Sequence, residues 1–127
     1  MIGRKNFYLL VFVILLVSAC GVSGVPEGIV EDYFTALAAG DDVRAANLSC
    51  AEWEGRARVD ADSFMNVQTT IEEMRCEVIS QTQTTAEVQC TGRIVADYQG
   101  EKQTIDLSRQ IYRLIADDGV WRFCGNP

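Results

Sequence analysis

Ala86-Glu87-Val88-Gln89-Cys90-Thr91-Gly92-Arg93-Ile94-Val95-Ala96-Asp97-Tyr98 is the stretch that decides the fold class. Val88, Cys90, Ile94, Ala96 and Tyr98 fall on one phase of a two-residue period. Glu87, Gln89, Thr91, Arg93 and Asp97 fall on the other. Successive side chains of a strand point to opposite faces, so this alternation is a strand with one apolar and one wet face. Upstream, Cys76-Glu77-Val78-Ile79-Ser80 reads as a second strand, reached through the polar turn Gln81 to Thr85. Downstream, Gln99-Gly100 is a tight hairpin turn. The strand after it, Lys102 to Ala116, carries Ile105 and Leu107 on one phase and Tyr112 and Leu114 on the other. A bulge near Ser108 to Gln110 would reconcile the two. Asp117-Asp118-Gly119 then turns the chain into a last strand, Val120 to Cys124.

Before Cys76 the period is helical. Val30, Tyr33, Phe34, Leu37 and Ala38 recur at three and four residues, giving one apolar stripe from Glu27 to Ala39. Pro26 suits a helix start, and Gly40 is the expected left-handed stop. Asp41 or Asp42 caps a second helix from Val43 to about Cys50. Ala51 to Arg58 continues as helix with Trp53 inward. Phe64, Val67, Ile71 and Met74 fit a further helical stripe, interrupted by Asn66, Thr69 and Thr70. The expectation over Asp60 to Met74 is therefore a short helix and an irregular entry to the sheet. Helices followed by a meander make an α+β domain: N-terminal helices packed on a curved antiparallel sheet of about four strands.

Five cysteines divide as one plus four. Cys20 stands apart near the N-terminus, and Cys50, Cys76, Cys90 and Cys124 lie in the domain. Folding the first hairpin about Gln83 sets Ser80 opposite Ala86, Val78 opposite Val88, and Cys76 opposite Cys90. Directly opposed residues have Cβ atoms ~4.5–5.5 Å apart, within reach of a disulfide. That leaves Cys50 for Cys124, a bond that would staple the helical layer to the far strand. In the chain-entropy model the two loops are worth ~3 and roughly 4 to 5 kcal/mol. No CxxC spacing and no histidine is present, so neither a metal site nor a redox site is expected, and no cofactor motif is found.

The net charge of −7 argues against nucleic acid and against lying flat on anionic lipid. The absence of histidine removes the commonest general base. Arg4 and Lys5 precede an apolar run from Phe7 to Val17, and Ser18 and Ala19 are small residues before Cys20. A basic start, a short apolar stretch and small residues before a cut describe a secretory signal. As a helix, Phe7 to Ala19 would reach ~20 Å, short of the ~30 Å hydrocarbon core. Val17-Ser18-Ala19-Cys20 resembles the lipobox of bacterial prolipoproteins. The resemblance implies that residues 1–19 are a signal peptide and that Cys20 carries diacylglycerol and further acyl chains such as palmitate. It makes 20–26 a short lipidated tether and 27–127 one α+β domain on the extracytoplasmic face of a cell membrane.

Val30-Glu31-Asp32-Tyr33-Phe34-Thr35-Ala36-Leu37-Ala38-Ala39-Gly40-Asp41, then Val43-Arg44-Ala45-Ala46-Asn47-Leu48-Ser49-Cys50, then a meander ending Gly119-Val120-Trp121-Arg122-Phe123-Cys124-Gly125, resembles the nuclear-transport-factor-two-like (cystatin-like) α+β fold. That resemblance implies a cone of sheet around the first helix. It also implies a range of activities, from isomerases and dehydratases to ligand-binding and interaction domains, among which fold does not choose. Tyr33, Phe34, Trp53, Phe64, Tyr98 and Tyr112 are the candidates for lining such a cone. Otherwise they are core, as a domain this small needs its aromatics for packing. Asp97, Asp106, Asp117 and Asp118 read as turn and solvent-face residues. Arg93, Arg109, Arg113 and Arg122 read as cross-strand partners of Glu77, Glu87, Asp97 and Asp106. Three readings follow: a non-enzymatic lipoprotein binding a protein partner or a small apolar ligand in the cone; a cone enzyme with a buried carboxylate base; and a homodimer joined through the exposed sheet face.

Overall fold

The computed structural model describes residues 24–126, so the expected signal peptide and the lipid site at Cys20 lie outside the described residues. Pro26, expected as the end of the tether, is buried and begins the first helix, α1 (Pro26–Ala38). A missing N–H is harmless in a first helical turn, where none is bonded. Gly40, at φ +67°, ends α1. Its N–H donates to the Leu37 carbonyl and that of Asp41 to the Ala36 carbonyl, which satisfies the last turn. The Asp41 carboxylate then accepts from the Arg44 N–H and caps α2 (Asp42–Asn47). This helix stops three residues before the expected Cys50. Leu48 to Cys50 is instead captured by the last strand: the Cys50 N–H donates to the Phe123 carbonyl and the Phe123 N–H to the Leu48 carbonyl, both at 2.8 Å. The third helix, α3, is Glu54–Asp62.

The strands are β1 (Gln68–Gln81), β2 (Thr85–Tyr98), β3 (Glu101–Asp106), β4 (Ile111–Asp117) and β5 (Val120–Phe123). The sheet order is β1-β2-β4-β5, with β3 also paired to β2. β3 takes the far half of β2, Arg93 to Tyr98, and β4 takes Thr85 to Gln89. The two are halves of one long strand, so the sheet is four strands wide and its strands pair antiparallel. The expected bulge between the halves is a larger break, a 3₁₀ turn over Leu107–Arg109. The whole is three helices against a curled antiparallel half-barrel, an α+β fold.

The stripe Phe64, Val67, Ile71 and Met74 is not a helix. α3 ends at Asp62, and Gln68 already begins β1. Its period of three comes from a bulge. Glu72 pairs with Arg93 and Arg75 with Thr91, so Glu73 and Met74 together oppose Gly92. The extra residue, Glu73 at φ +54°, brings Met74 back to the core side that Ile71 occupies. A second irregularity follows Val78. Val78 and Cys76 face Val88 and Cys90 as expected, while Ser80 faces Glu87 instead of Ala86. Both disulfides are formed, Cys76–Cys90 with Cα atoms 4.1 Å apart and Cys50–Cys124 at 5.3 Å.

The core lies between α1 and the concave face, where Val88, Cys90, Ile94, Ala96 and Leu114 are buried. Tyr33 stacks on Phe123 at 3.8 Å, and Phe34 meets Tyr112 edge-on at 5.0 Å. The Glu31 carboxylate accepts from the Cys76 N–H, tying α1 to the edge strand.

Candidate functional site

The helices do not cover the whole concave face. Ile105 on β3 is the register partner of buried Ile94 and shares its face, yet it is 43% exposed. It walls a cleft of about 860 Å³ between α1, α3, β3 and the 3₁₀ turn. Five of the six candidate aromatics line this cleft: Tyr33, Phe34, Trp53, Phe64 and Tyr112. Tyr98 is not among the lining residues. It sits near the tip of the β2–β3 hairpin, exposed. Phe123, Leu107, Leu37 and Ile94 complete the apolar floor. Arg56, Asp60, Asp106 and Arg109 contribute charge, and the sequence pattern singles out none of the four for a cleft.

Each wall is fixed by a hydrogen bond or an ion pair. The Tyr112 hydroxyl donates to the Leu107 carbonyl at 2.8 Å and holds the 3₁₀ turn against β4. The Asp106 carboxylate starts that turn by accepting from the Ser108 hydroxyl and N–H, at 2.6 and 2.9 Å. These bonds hold its carboxyl below the usual carboxylate range. On α3, Arg56 and Asp60 pair one turn apart at 2.8 Å. Trp53 Nε1 donates to the Tyr33 hydroxyl at 2.9 Å, which links α3 to α1. Of the sheet arginines, Arg93 pairs with Glu72 on β1 at 2.7 Å, a partner outside the expected set.

Burial pushes both cleft tyrosines, Tyr33 and Tyr112, from 10.0 up to about 12. A raised value in the folded protein gives stability that is complete below pH 10 and lost as pH climbs toward 12. Allowing for water in the adjoining cleft, we expect each to cost about 1–2 kcal/mol across that window. Urea unfolding at pH 9 and at pH 11.5 measures this. An equal alkaline loss in the Tyr33→Phe/Tyr112→Phe variant would assign it elsewhere.

Beside its aromatic floor the cleft is polar: Ser63, Thr104, Gln110 and Asn126 join the four charged residues in its lining. Among the described residues no Asp or Glu is buried; apart from the tyrosines, Ser49 is the one buried polar side chain. The buried carboxylate base of the isomerase or dehydratase reading therefore has no counterpart there. Nor do three His, Cys, Asp or Glu side chains among the described residues gather in a way that would hold a metal ion. No family model matches the chain, and no curated protein sequence matches it. Among solved structures, it is similar to a SEC-C motif-containing protein from Rhodopseudomonas palustris determined in solution. The two share 16% identity and a TM-score of 0.55, over 80% of this chain and 77% of that one, and the likeness is one of fold.

Proposed function

We propose that this chain is a lipid-anchored, extracytoplasmic domain that holds a small apolar ligand in the cleft between α1, α3 and the 3₁₀ turn. One observation carries the binding half of the reading: about 860 Å³ of concave space with an aromatic floor and charged groups from α3 and the 3₁₀ turn. That volume falls in the range of roughly 300–1,000 Å³ typical of ligand sites. The cellular half rests on Val17-Ser18-Ala19-Cys20 and on the two disulfides, since such bonds persist in oxidising compartments. Two acyl chains on Cys20 would anchor the domain, each buried CH₂ contributing about 0.8 kcal/mol. The order of helices and curled sheet also supports membership of the nuclear-transport-factor-two-like (cystatin-like) superfamily, whose cones commonly hold ligands.

Trp53, half-buried at the cleft, is the natural reporter. Titration with a naphthalene-type probe is expected to change its fluorescence saturably. Ile105→Glu should abolish that response while shifting Tm by only a few degrees, because Ile105 is exposed and the charge stays in water. An unsaturable response, or one untouched by Ile105→Glu, would remove the cleft as the binding site. For the anchor, Cys20→Ser should end labelling by a radioactive fatty acid in cells; equal labelling would place the lipid elsewhere.

A further inference from the structure

Resting on the cleft as the binding site, we infer that its ligand carries a neutral hydrogen-bond acceptor, such as a carbonyl or ether oxygen, that docks on the Tyr33 hydroxyl. Tyr33 is 1% exposed and its ring is clamped flat against Phe123. Its oxygen accepts from Trp53 Nε1, and among the described residues its own proton has no acceptor. Tyr112, the other cleft tyrosine, already donates to the Leu107 carbonyl. A buried donor left without a partner carries a desolvation penalty, and a bound acceptor would remove it.

The charge around that hydroxyl decides the type of acceptor. Arg56, the cation that α3 brings to the cleft, is already paired with Asp60 at 2.8 Å. A carboxylate docked on the hydroxyl would shed its hydration without gaining a free cation from α3, and a neutral oxygen avoids that cost. The tyrosine proton itself stays in place at any ordinary pH.

Three probes of one shape separate the possibilities: 2-acetylnaphthalene, 2-isopropenylnaphthalene, in which CH₂ replaces the carbonyl oxygen, and 2-naphthoate. In the full chain, Tyr33→Phe should lower the ketone-to-alkene affinity ratio by between about twofold and tenfold. Naphthoate should bind weakest of the three. On the unaltered protein, the carbonyl stretch of bound 2-acetylnaphthalene should fall below its value in alkane solution, a readout that needs no variant. An unmoved ratio, an unshifted stretch, or naphthoate binding tightest would each overturn the assignment and leave the cleft standing as an apolar site. Failure of all three probes to bind would remove the cleft reading and this inference with it.

Discussion

Gly92→Ala should cost the domain about 3 to 5 kcal/mol and lower Tm by about 15 °C or more. Gly92 sits at φ +92° opposite the β1 bulge. A Cβ there would lie 2.5 Å from the Glu73 carbonyl oxygen and 2.6 Å from that of Glu72. Those atoms are backbone, fixed by the ladder on either side, and cannot rotate away. The substitution thus adds a steric clash to a conformation that side chains rarely adopt. Gly100 is the control. It has a similar φ of +94°, and a methyl group there would meet nothing within 4 Å. Gly100→Ala should therefore cost about 1 kcal/mol, the conformational part alone. Thermal unfolding of the two variants side by side tests the argument. Equal losses would show that the bulge carbonyls yield and that the clash is not the dominant effect.

The same bulge explains what the sequence pattern could and could not tell. The alternation of Val88, Cys90, Ile94 and Ala96 was legible because β2 is the central strand and its inward side chains are buried almost completely. From it followed the hairpin register and the pairing of Cys76 with Cys90. The first strand hid behind its bulge, since Ile71 and Met74 three residues apart imitate a helix. A signal was present in Gly92, an isolated glycine in an otherwise regular strand pattern, which often marks a bulge on one side or the other. Helix α2 gave no such warning. Nothing between Asn47 and Cys50 breaks a helix, and it ends because β5, more than seventy residues away, takes Leu48 and Cys50 as hydrogen-bond partners. The aromatic floor of the cleft was legible as a list of large residues. Its charged groups were not: nothing in the pattern around Arg56 and Asp60 pointed to a cleft, and Asp106 and Arg109 read as solvent-face and cross-strand residues. They share a cleft because the 3₁₀ turn swings the chain inward at Leu107.

Removing the Cys50–Cys124 bond should have the second large effect, and it should reach the cleft. The bond closes a loop with a sequence separation of 74 residues, for which chain entropy gives about 4.5 kcal/mol. The two backbone hydrogen bonds beside it survive in the Cys50→Ala/Cys124→Ala variant, and the expected loss is about 3 to 4 kcal/mol. Cys124 follows Phe123 directly, and Phe123 carries the stack with Tyr33 on the cleft floor. Gly125, next in line, packs so closely under Trp53 that a Cβ there would come within 2.5 Å of the indole. Freed of its staple, this short segment can shift relative to α1, which disorders Tyr33, Phe123 and Trp53 together. Probe affinity should then fall at temperatures where the variant is still folded. Cys76→Ala/Cys90→Ala gives the contrast. Its bond spans 14 residues, lies on β1 and β2, and contributes no residue to the cleft. That variant should lose up to about 3 kcal/mol and bind the probe as before. Equal probe affinity in both variants, measured well below their melting temperatures, would mean that the cleft floor is held by packing alone and that the long-range bond serves only global stability.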